Sequence, residues 1–187
     1  MTVLVSYATS EGQTRKIARR VADRLADSGQ AVELVPLADA DDIDLERFDR
    51  VILAASIHAG HYQKDLSDFV AKHAGQLHAK STLFLSVSLA AAGHNADDWQ
   101  DAERILEDLK AATGWTPGRV EQVAGAYLPS KYDMFRRFIM RRILAAKDPG
   151  ADLDSDKKYT DWQALDTLTD GFNAPLSTHA PTPRAVF

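Results

Sequence analysis

Apolar positions along the chain alternate between short continuous runs and stretches with helical spacing. The short runs predict five strands, at Thr2–Tyr7, Ala31–Val35, Arg50–Ala55, Thr82–Val87 and Val120–Ala126. The helical spacings predict four helices, marked by Ile17, Val21 and Leu25, by Leu66, Phe69, Val70 and His73, by Trp99, Ile105, Leu106 and Leu109, and by the stretch Asp161–Phe172. Thr160 is the predicted N-cap of the last helix.

Strands that alternate with helices predict repeated βαβ units, and therefore a parallel sheet covered by helices on both faces. The expected fold is a three-layer α/β sandwich with a five-stranded parallel sheet in the order 2-1-3-4-5. Its ligand crevice would lie at the carboxyl ends of strands 1 and 3. One domain is predicted over residues 1–172, with a long insertion at about 127–158 and a mobile tail at 173–187.

The composition is that of a soluble globular protein, with 187 residues of which 45% are hydrophobic and 26% charged. There are no cysteines, so disulfides, thiolate metal sites and iron–sulfur clusters are excluded. Met1 and Thr2 run directly into the first strand, and residues 82–93 are too short to span a bilayer. A cytoplasmic protein is the simplest expectation, and the net charge of −5 argues against nucleic-acid binding.

The predicted insertion departs from this acidic average. Residues 131–147 contain six basic side chains and one acid, Asp133, so the segment is strongly cationic. On a helix, aromatic and arginine side chains would largely occupy opposite sides, although Arg142 intrudes on the apolar one. Such a segment favours a membrane surface or an anionic ligand over a helix packed on its own domain with solvated arginines. The predicted contacts are Lys131, Phe135, Arg136, Arg137, Phe138, Arg141 and Arg142.

A turn rich in hydroxyl groups follows the first strand and predicts a phosphate site. Backbone amides at a helix start are unpaired and lie at the positive end of the helix dipole. The hydroxyl groups add donors, and the glycine lets the backbone approach a ligand closely. An N-terminal capping box formed by Ser10 and Gln13 is the alternative that needs no ligand. The predicted site residues of this turn are Thr9, Ser10, Glu11, Gly12, Gln13 and Thr14.

Two further loops follow strands 3 and 4. His58 and His61 are three residues apart but have no third ligand nearby, so no metal site is predicted. Because all three loops end parallel strands, they should meet at one edge of the sheet. A phosphate cradle beside two loops that fit a planar ring, without a dinucleotide fingerprint, predicts a mononucleotide such as FMN. The site residues of these loops are Ser56, Ile57, His58, Ala59, Gly60 and His61, followed by Ser86, Val87, Ser88, Leu89 and Ala90.

Several blocks of the sequence resemble one family, the bacterial quinone-dependent protoporphyrinogen IX dehydrogenases, which are flavodoxin-like FMN proteins. The likeness covers residues 2–172. The blocks that carry it are Thr-Ser-Glu-Gly-Gln-Thr-Arg-Lys-Ile-Ala at 9–18, Ala-Ala-Ser-Ile-His-Ala-Gly-His-Tyr at 54–62, Phe-Val-Ala-Lys-His at 69–73, Ala-Gly-Ala at 124–126, Met-Phe-Arg-Arg-Phe-Ile-Met at 134–140 and Tyr-Thr-Asp-Trp at 159–162.

This resemblance implies FMN-dependent oxidation of protoporphyrinogen IX to protoporphyrin IX, with electrons passed to membrane menaquinone or ubiquinone. It also implies a peripheral position on the inner face of the cell membrane, and a homo-oligomer is left open. No general base is assigned, and position alone makes His58 and His61 candidates for carrying protons. The alternatives are a flavodoxin-type electron carrier, an NAD(P)H quinone reductase and a membrane-surface adaptor without a cofactor.

Overall fold

Five apolar strands form a single parallel sheet in the order β2-β1-β3-β4-β5, as the sequence predicts. The computed structural model describes residues 1–92, 96–127, 144–145, 150, 152 and 156–174. The central strand β3 is buried along almost its whole length, because helices cover both faces of the sheet. The strands are β1 (Thr2–Ala8), β2 (Ala31–Pro36), β3 (Arg50–Ser56), β4 (Ser81–Ser88) and β5 (Arg119–Ala124).

The helices that complete the three layers within the described residues are α1 (Gln13–Asp27), α2 (Lys64–His78), α3 (Ala96–Thr113) and α4 (Trp162–Asn173). Alternate strand residues face opposite cores, since successive side chains of a strand point to opposite sides. Ile52 packs with α1 and α4, whereas its neighbour Leu53 packs with α2 and α3. The apolar positions that mark α1 and α2 in the sequence are all buried. Among the described residues, no helix combines the length and apolarity needed to cross a bilayer.

The end of strand 5 differs from the prediction, which extended it to Ala126. The strand leaves the sheet at Gly125, and Ala126–Tyr127 (β6) pairs antiparallel with Lys157–Lys158 (β7). Gly125 N donates to Ser88 O at 2.9 Å, and a Cβ on Gly125 would lie 3.2 Å from Val87 Cγ1. The chain therefore turns close against β4 at a residue that has no side chain. Residues 125–127 and 157–160 together are called the neck below.

The predicted N-cap of the last helix is wrong by one residue. Asp161 caps α4, and its carboxylate accepts a hydrogen bond from Ala164 N at 2.9 Å. The hydroxyl of Thr160 is committed elsewhere, because it donates to Ala124 O at 2.6 Å. The predicted cationic residues of the insertion, and residues 175–187 of the predicted tail, lie outside the described residues.

Ion pairs and one buried arginine fix α4 against the rest of the domain. Arg20 and Arg24 of α1 each form a two-pronged pair with a carboxylate of α4, namely Asp166 and Asp170. The hydrogen bond from each arginine lowers the pKa of its partner carboxyl group. These pairs are largely exposed, so their main effect is to set the register of the two helices.

Arg50 joins the start of β3 to the end of α4. Its guanidinium donates to Phe172 O and, at 3.2 Å, to Ala174 O, and it lies 5.3 Å from the centre of the Phe172 ring. A cation at the carboxyl end of a helix interacts favourably with the helix dipole. Because Arg50 and Phe172 are both buried, the Phe172 carbonyl has little access to replacement water.

Replacing Arg50 by glutamine should therefore destabilise the protein by about 2 kcal/mol, since a charged donor to the buried Phe172 carbonyl is lost. Arg119→Gln is the matched control, because Arg119 also begins a strand but is exposed and forms a surface ion pair with Glu121. The control should cost less than about 0.5 kcal/mol. Urea unfolding followed by circular dichroism measures both values, and equal losses would contradict the assigned role of Arg50.

Candidate functional site

The three predicted loops meet in one cleft at the carboxyl edge of the sheet. The strand register brings them together, because Ala8 of β1 lies beside Ala55 of β3, and Ser56 lies beside Val87 of β4. The end of β5 adds a fourth wall. The cleft is lined by Thr9, Glu11, Gln13, Thr14, Ser56, Ile57, His58, Val87, Ser88, Leu89, Gly125 and Ala126.

The first loop is built as a cradle that leaves the start of α1 uncapped. Gly12 has φ +93°, which glycine adopts readily, and its N–H donates to Thr9 Oγ1 at 2.9 Å. Gly12 is the N-cap, and no side chain of the described residues caps the helix there. The capping box of Ser10 and Gln13 is therefore not formed. The first amides of α1 remain suited to an anion, as the phosphate prediction requires.

The second loop divides into a part that lines the cleft and an exposed tip. His58 and His61 exchange backbone hydrogen bonds of 2.8 and 3.1 Å, which closes a tight turn through Ala59 and Gly60. Both central residues have positive φ, +49° for Ala59 and +86° for Gly60. The tip residues Ala59, Gly60 and His61 are exposed and do not line the cleft.

His58 lies in the cleft wall opposite the first loop. Its Nε2 is 3.7 Å from Glu11 Oε1, and both side chains are mostly buried. The same face is ordered by Gln63, whose Nε2 donates to Ser56 Oγ at 2.6 Å and to Ser10 Oγ at 3.4 Å. A side chain that sequence reasoning did not select therefore holds the first and second loops together.

Beneath the cleft, Ser86 is fully buried and does not line it. Its hydroxyl shares a 2.8 Å hydrogen bond with the phenol of Tyr62, whose ring meets Phe84 edge to face. Burial raises the pKa of Tyr62 to about 12, against a smaller opposing effect of the hydrogen bond to Ser86. Ser86 thus anchors the end of the second loop to β4 and leaves contact with a ligand to its neighbours.

The third loop contributes its first residues to the cleft. Val87, Ser88 and Leu89 line it, whereas Ala90 starts a single 3₁₀ turn beside it. Ser88 Oγ accepts a hydrogen bond from Ala91 N at 3.2 Å, which fixes the start of that turn.

The neck supplies site residues that were not predicted. Gly125 and Ala126 line the cleft, and Thr160 contacts the side chain of Gln13, which lines it too. Gln13 Nε2 donates to Thr160 Oγ1 at 3.0 Å, while that hydroxyl donates to Ala124 O. A glycine inside a predicted strand often indicates that another backbone approaches closely, so Gly125 could have been recognised as a site residue from the sequence. Thr160 carried no such signal, because a threonine before a helix is equally typical of an N-cap.

A larger and more open cavity of about 1120 Å³ lies along α1, with Arg15, Lys16 and Trp162 among its walls. Of the predicted cofactor residues, only Gly12 borders it. The smaller cleft is the better candidate for the cofactor, because it gathers polar groups from all three loops and the start of α1. In the described part of the chain, no group of three or more His, Asp or Glu side chains is arranged to hold a metal ion.

Comparison with known proteins gives the same architecture and a specific set of relatives. The family model described as "Flavodoxin domain" matches residues 4–154. A protoporphyrinogen IX dehydrogenase (quinone) of Escherichia coli K12 is 31% identical over 165 residues, which cover 88% of this chain and 91% of that protein. A protein of the same name from Leishmania major is 30% identical over 185 residues, covering 97% of this chain and 79% of that protein.

Solved structures support the fold alone. Oxidised flavodoxin 2 from Bacillus cereus superimposes with a TM-score of 0.53 at 16% identity, covering 92% of this chain and 98% of the other. Oxidised flavodoxin 1 from the same organism gives a TM-score of 0.54 at 15% identity, covering 92% and 97%.

Tyr62→Phe tests the buried anchor of the second loop. At pH 8 it should lower the free energy of unfolding by about 1 kcal/mol, because Ser86 loses its hydrogen-bond partner. The unfolded phenol ionises near its ordinary pKa of 10, whereas the folded one does so at about 12. Stability from Tyr62 is therefore fully present below pH 10 and is lost as the pH rises to about 12.

The stability of wild type relative to Tyr62→Phe should accordingly fall by about 2 kcal/mol between pH 10 and 12, so that the variant is the more stable of the two by about 1 kcal/mol near pH 12. Urea unfolding at several pH values measures it. Tyr7→Phe is the control for replacing a buried tyrosine, since the described residues supply no hydrogen-bond partner to the Tyr7 hydroxyl. A difference for Tyr62→Phe that stays constant with pH would contradict the assigned environment.

Proposed function

We propose that this chain oxidises protoporphyrinogen IX to protoporphyrin IX with FMN as its cofactor. The chain belongs to the flavodoxin-domain family of quinone-dependent protoporphyrinogen IX dehydrogenases. The observation that carries the proposal is the cleft itself, where three strand ends and an uncapped helix start face one another. The substrate and the electron acceptor are inferred from the name of these relatives, which match 88% and 97% of the chain.

The residues of the cleft fit FMN. The amides of Ser10, Glu11, Gln13 and Thr14 would hold the phosphate, since a helix start without a cap suits a dianion. The Gly12 amide donates to Thr9 Oγ1 and shapes the turn that presents them. Gln13 Oε1 is buried and has no hydrogen-bond partner among the described residues, so it can accept a hydrogen bond from a hydroxyl of the ribityl chain. The residues that would border the isoalloxazine are those of the second and third loops that line the cleft, Ser56 to His58 and Val87 to Leu89.

When bound, FMN would supply two-electron redox chemistry that the side chains of this cysteine-free chain do not offer. The overall reaction moves six hydrogen atoms from protoporphyrinogen IX to three quinones, which leave as three quinols. The chain's own residues position the reactants and exclude water. His58, which faces Glu11 across the cleft, and the exposed His61 are the side chains whose position suits proton transfer. No general base is assigned.

The cationic insertion provides the contact with substrate and membrane. Arginine pairs well with carboxylates and with lipid phosphates, and the substrate carries propionates while the quinone lies in the bilayer. The protein is therefore a peripheral one on the inner face of the cell membrane. The contacts with substrate and membrane are made by Lys131, Phe135, Arg136, Arg137, Phe138, Arg141 and Arg142.

Porphyrin fluorescence under anaerobic conditions tests the activity directly. FMN-loaded protein given protoporphyrinogen IX and a menaquinone analogue should form porphyrin faster than samples without quinone or without protein. FMN binding without porphyrin formation would overturn the dehydrogenase and favour an electron carrier. FMN reduction by NAD(P)H would favour the quinone reductase, and failure to bind FMN would reject every flavoprotein reading.

Gly12→Ala links that activity to the cleft. Alanine at φ +93° is strained by about 1–2 kcal/mol, so the dissociation constant for FMN should rise about tenfold. Gly29→Ala is the matched control, with φ +86° at the far end of α1 and no atom within 4 Å of its new Cβ. Flavin fluorescence titration measures both constants. A change at Gly29 equal to that at Gly12 would argue against the phosphate cradle.

Vesicle sedimentation tests the cationic contact. Wild-type protein should bind vesicles containing phosphatidylglycerol more tightly than vesicles of phosphatidylcholine alone. Changing Arg136, Arg137, Arg141 and Arg142 to glutamine should weaken that binding at least about tenfold, because each arginine near an anionic surface contributes about 1 kcal/mol.

The matched control removes the same charge elsewhere, through glutamine at Lys64, Arg104, Lys110 and Arg119, which are engaged in surface ion pairs. It should retain vesicle binding within about threefold. Equal weakening by both quadruple variants would mean that overall charge, and not the insertion, attracts the protein to lipid.

A further inference from the structure

The neck is hydrogen-bonded to the cofactor cleft at three points. Gly125 N donates to Ser88 O at 2.9 Å, and Tyr159 N donates to Gly125 O at 3.0 Å. Thr160 Oγ1 then joins the start of α1 to the end of β5 through Gln13 and Ala124. The two ends of the inserted segment are thus tied to the walls of the cleft, not to the far side of the domain.

Apolar contacts strengthen the same junction. Tyr127 of β6 is fully buried and forms a small cluster with Leu144, against which Leu89 and Tyr159 pack. Leu89 is itself a wall of the cleft. A ligand that presses on the third loop therefore presses on the neck as well, because packed side chains transmit displacement.

The hydrogen bonds of Thr160 also fix the orientation of the Gln13 side chain. The Thr160 hydroxyl gives its only proton to Ala124 O, so it can only accept from Gln13, and the amide must present Nε2 to it. Gln13 Oε1 is thereby left buried, without a partner among the described residues, in a side chain that lines the cleft. An unsatisfied buried oxygen carries a free-energy cost that a hydrogen-bond donor from a ligand removes.

We propose that Thr160 is a positioning residue that couples the cleft to the neck, so that FMN binding and the pairing of β6 with β7 stabilise each other. The inference rests on the proposed function, because it takes FMN as the ligand. Coupling of this kind is reciprocal. Whatever holds the neck in its paired form also tightens FMN binding, by the same factor with which FMN favours the paired neck.

Hydrogen exchange measured by mass spectrometry tests the coupling in the wild-type protein. FMN should slow exchange of the Tyr159 amide and of residues 126–127 and 157–158 about tenfold more than exchange of β2. Strand β2 lies at the opposite edge of the sheet and reports general stabilisation. Equal protection of the neck and β2 would overturn the proposal.

Thr160→Val removes the hydroxyl with little change in shape and should raise the dissociation constant for FMN about tenfold. It should also abolish the extra protection of the neck, whereas Thr160→Ser should restore both. Thr169→Val is the matched control, because Thr169 is a buried threonine of α4 whose hydroxyl donates only to Leu165 O within the helix. It should lower stability yet leave FMN affinity within twofold.

The two proposals fail in distinguishable ways. If wild-type protein binds no FMN, the proposed function fails. If it binds FMN and forms porphyrin while Thr160→Val retains wild-type affinity, the coupling alone fails. If Thr160→Val does not fold, comparison of wild type with Thr160→Ser by hydrogen exchange still decides, since neck protection by FMN must appear in both.

Discussion

Parallel pairing of five strands determines where chemistry is possible in this molecule. Every strand runs in the same direction, so every strand ends at the same edge, and the polar loops have no other place to gather. Because β1 lies between β2 and β3, the connections leave to opposite faces on its two sides, which opens a crevice. The strands beneath these loops are covered on both faces and buried along almost their whole length, so they give the loops a fixed base.

The segment between β6 and β7, which the sequence predicts to be an insertion, adds a second constraint to that edge. A long segment inserted after β5 would leave its two ends free to separate unless the fold joined them. The short antiparallel pairing of β6 with β7 joins them, and Gly125 makes it possible by letting the backbone pass close to Val87 and Ser88. Hydrogen bonds in the cleft wall thus offset the entropy cost of closing this loop. The same hydrogen bonds order the residues that face the ligand.

Sequence patterning was sufficient for the sheet and its helices because those elements depend on burial. Runs such as Arg50–Ala55 and spacings such as Ile17, Val21 and Leu25 report which positions avoid water, and the structure follows them. Patterning gave the wrong N-cap where one hydroxyl group could either cap a helix or donate to a distant carbonyl. Thr160 was predicted to cap α4, yet Asp161 caps it, because a tertiary carbonyl competes for the Thr160 hydroxyl.

The predicted cofactor loops show the same division. Their meeting at one edge follows from topology, but which residues face the cleft depends on local geometry that spacing does not encode. Ala59 and Gly60 lie outside the cleft because the second loop makes a tight turn there. Ser86 lies beneath the cleft, where its hydroxyl is hydrogen-bonded to Tyr62. In each case the residue supports a neighbour that lines the wall.

Helix α1 both forms part of the cofactor cleft and holds α4 in place, and its first residue, Gln13, takes part in both. Its start forms the cradle, while Arg20 and Arg24 along its outer face fix the register of α4. That register brings Thr160, just ahead of α4, within reach of Gln13 at the start of α1. A displacement of α4 along its axis would therefore withdraw the partner of Gln13 and change the cleft without touching any residue that contacts a ligand. The helix that follows the insertion belongs to the cofactor site for this reason, although none of the three predicted loops contains it.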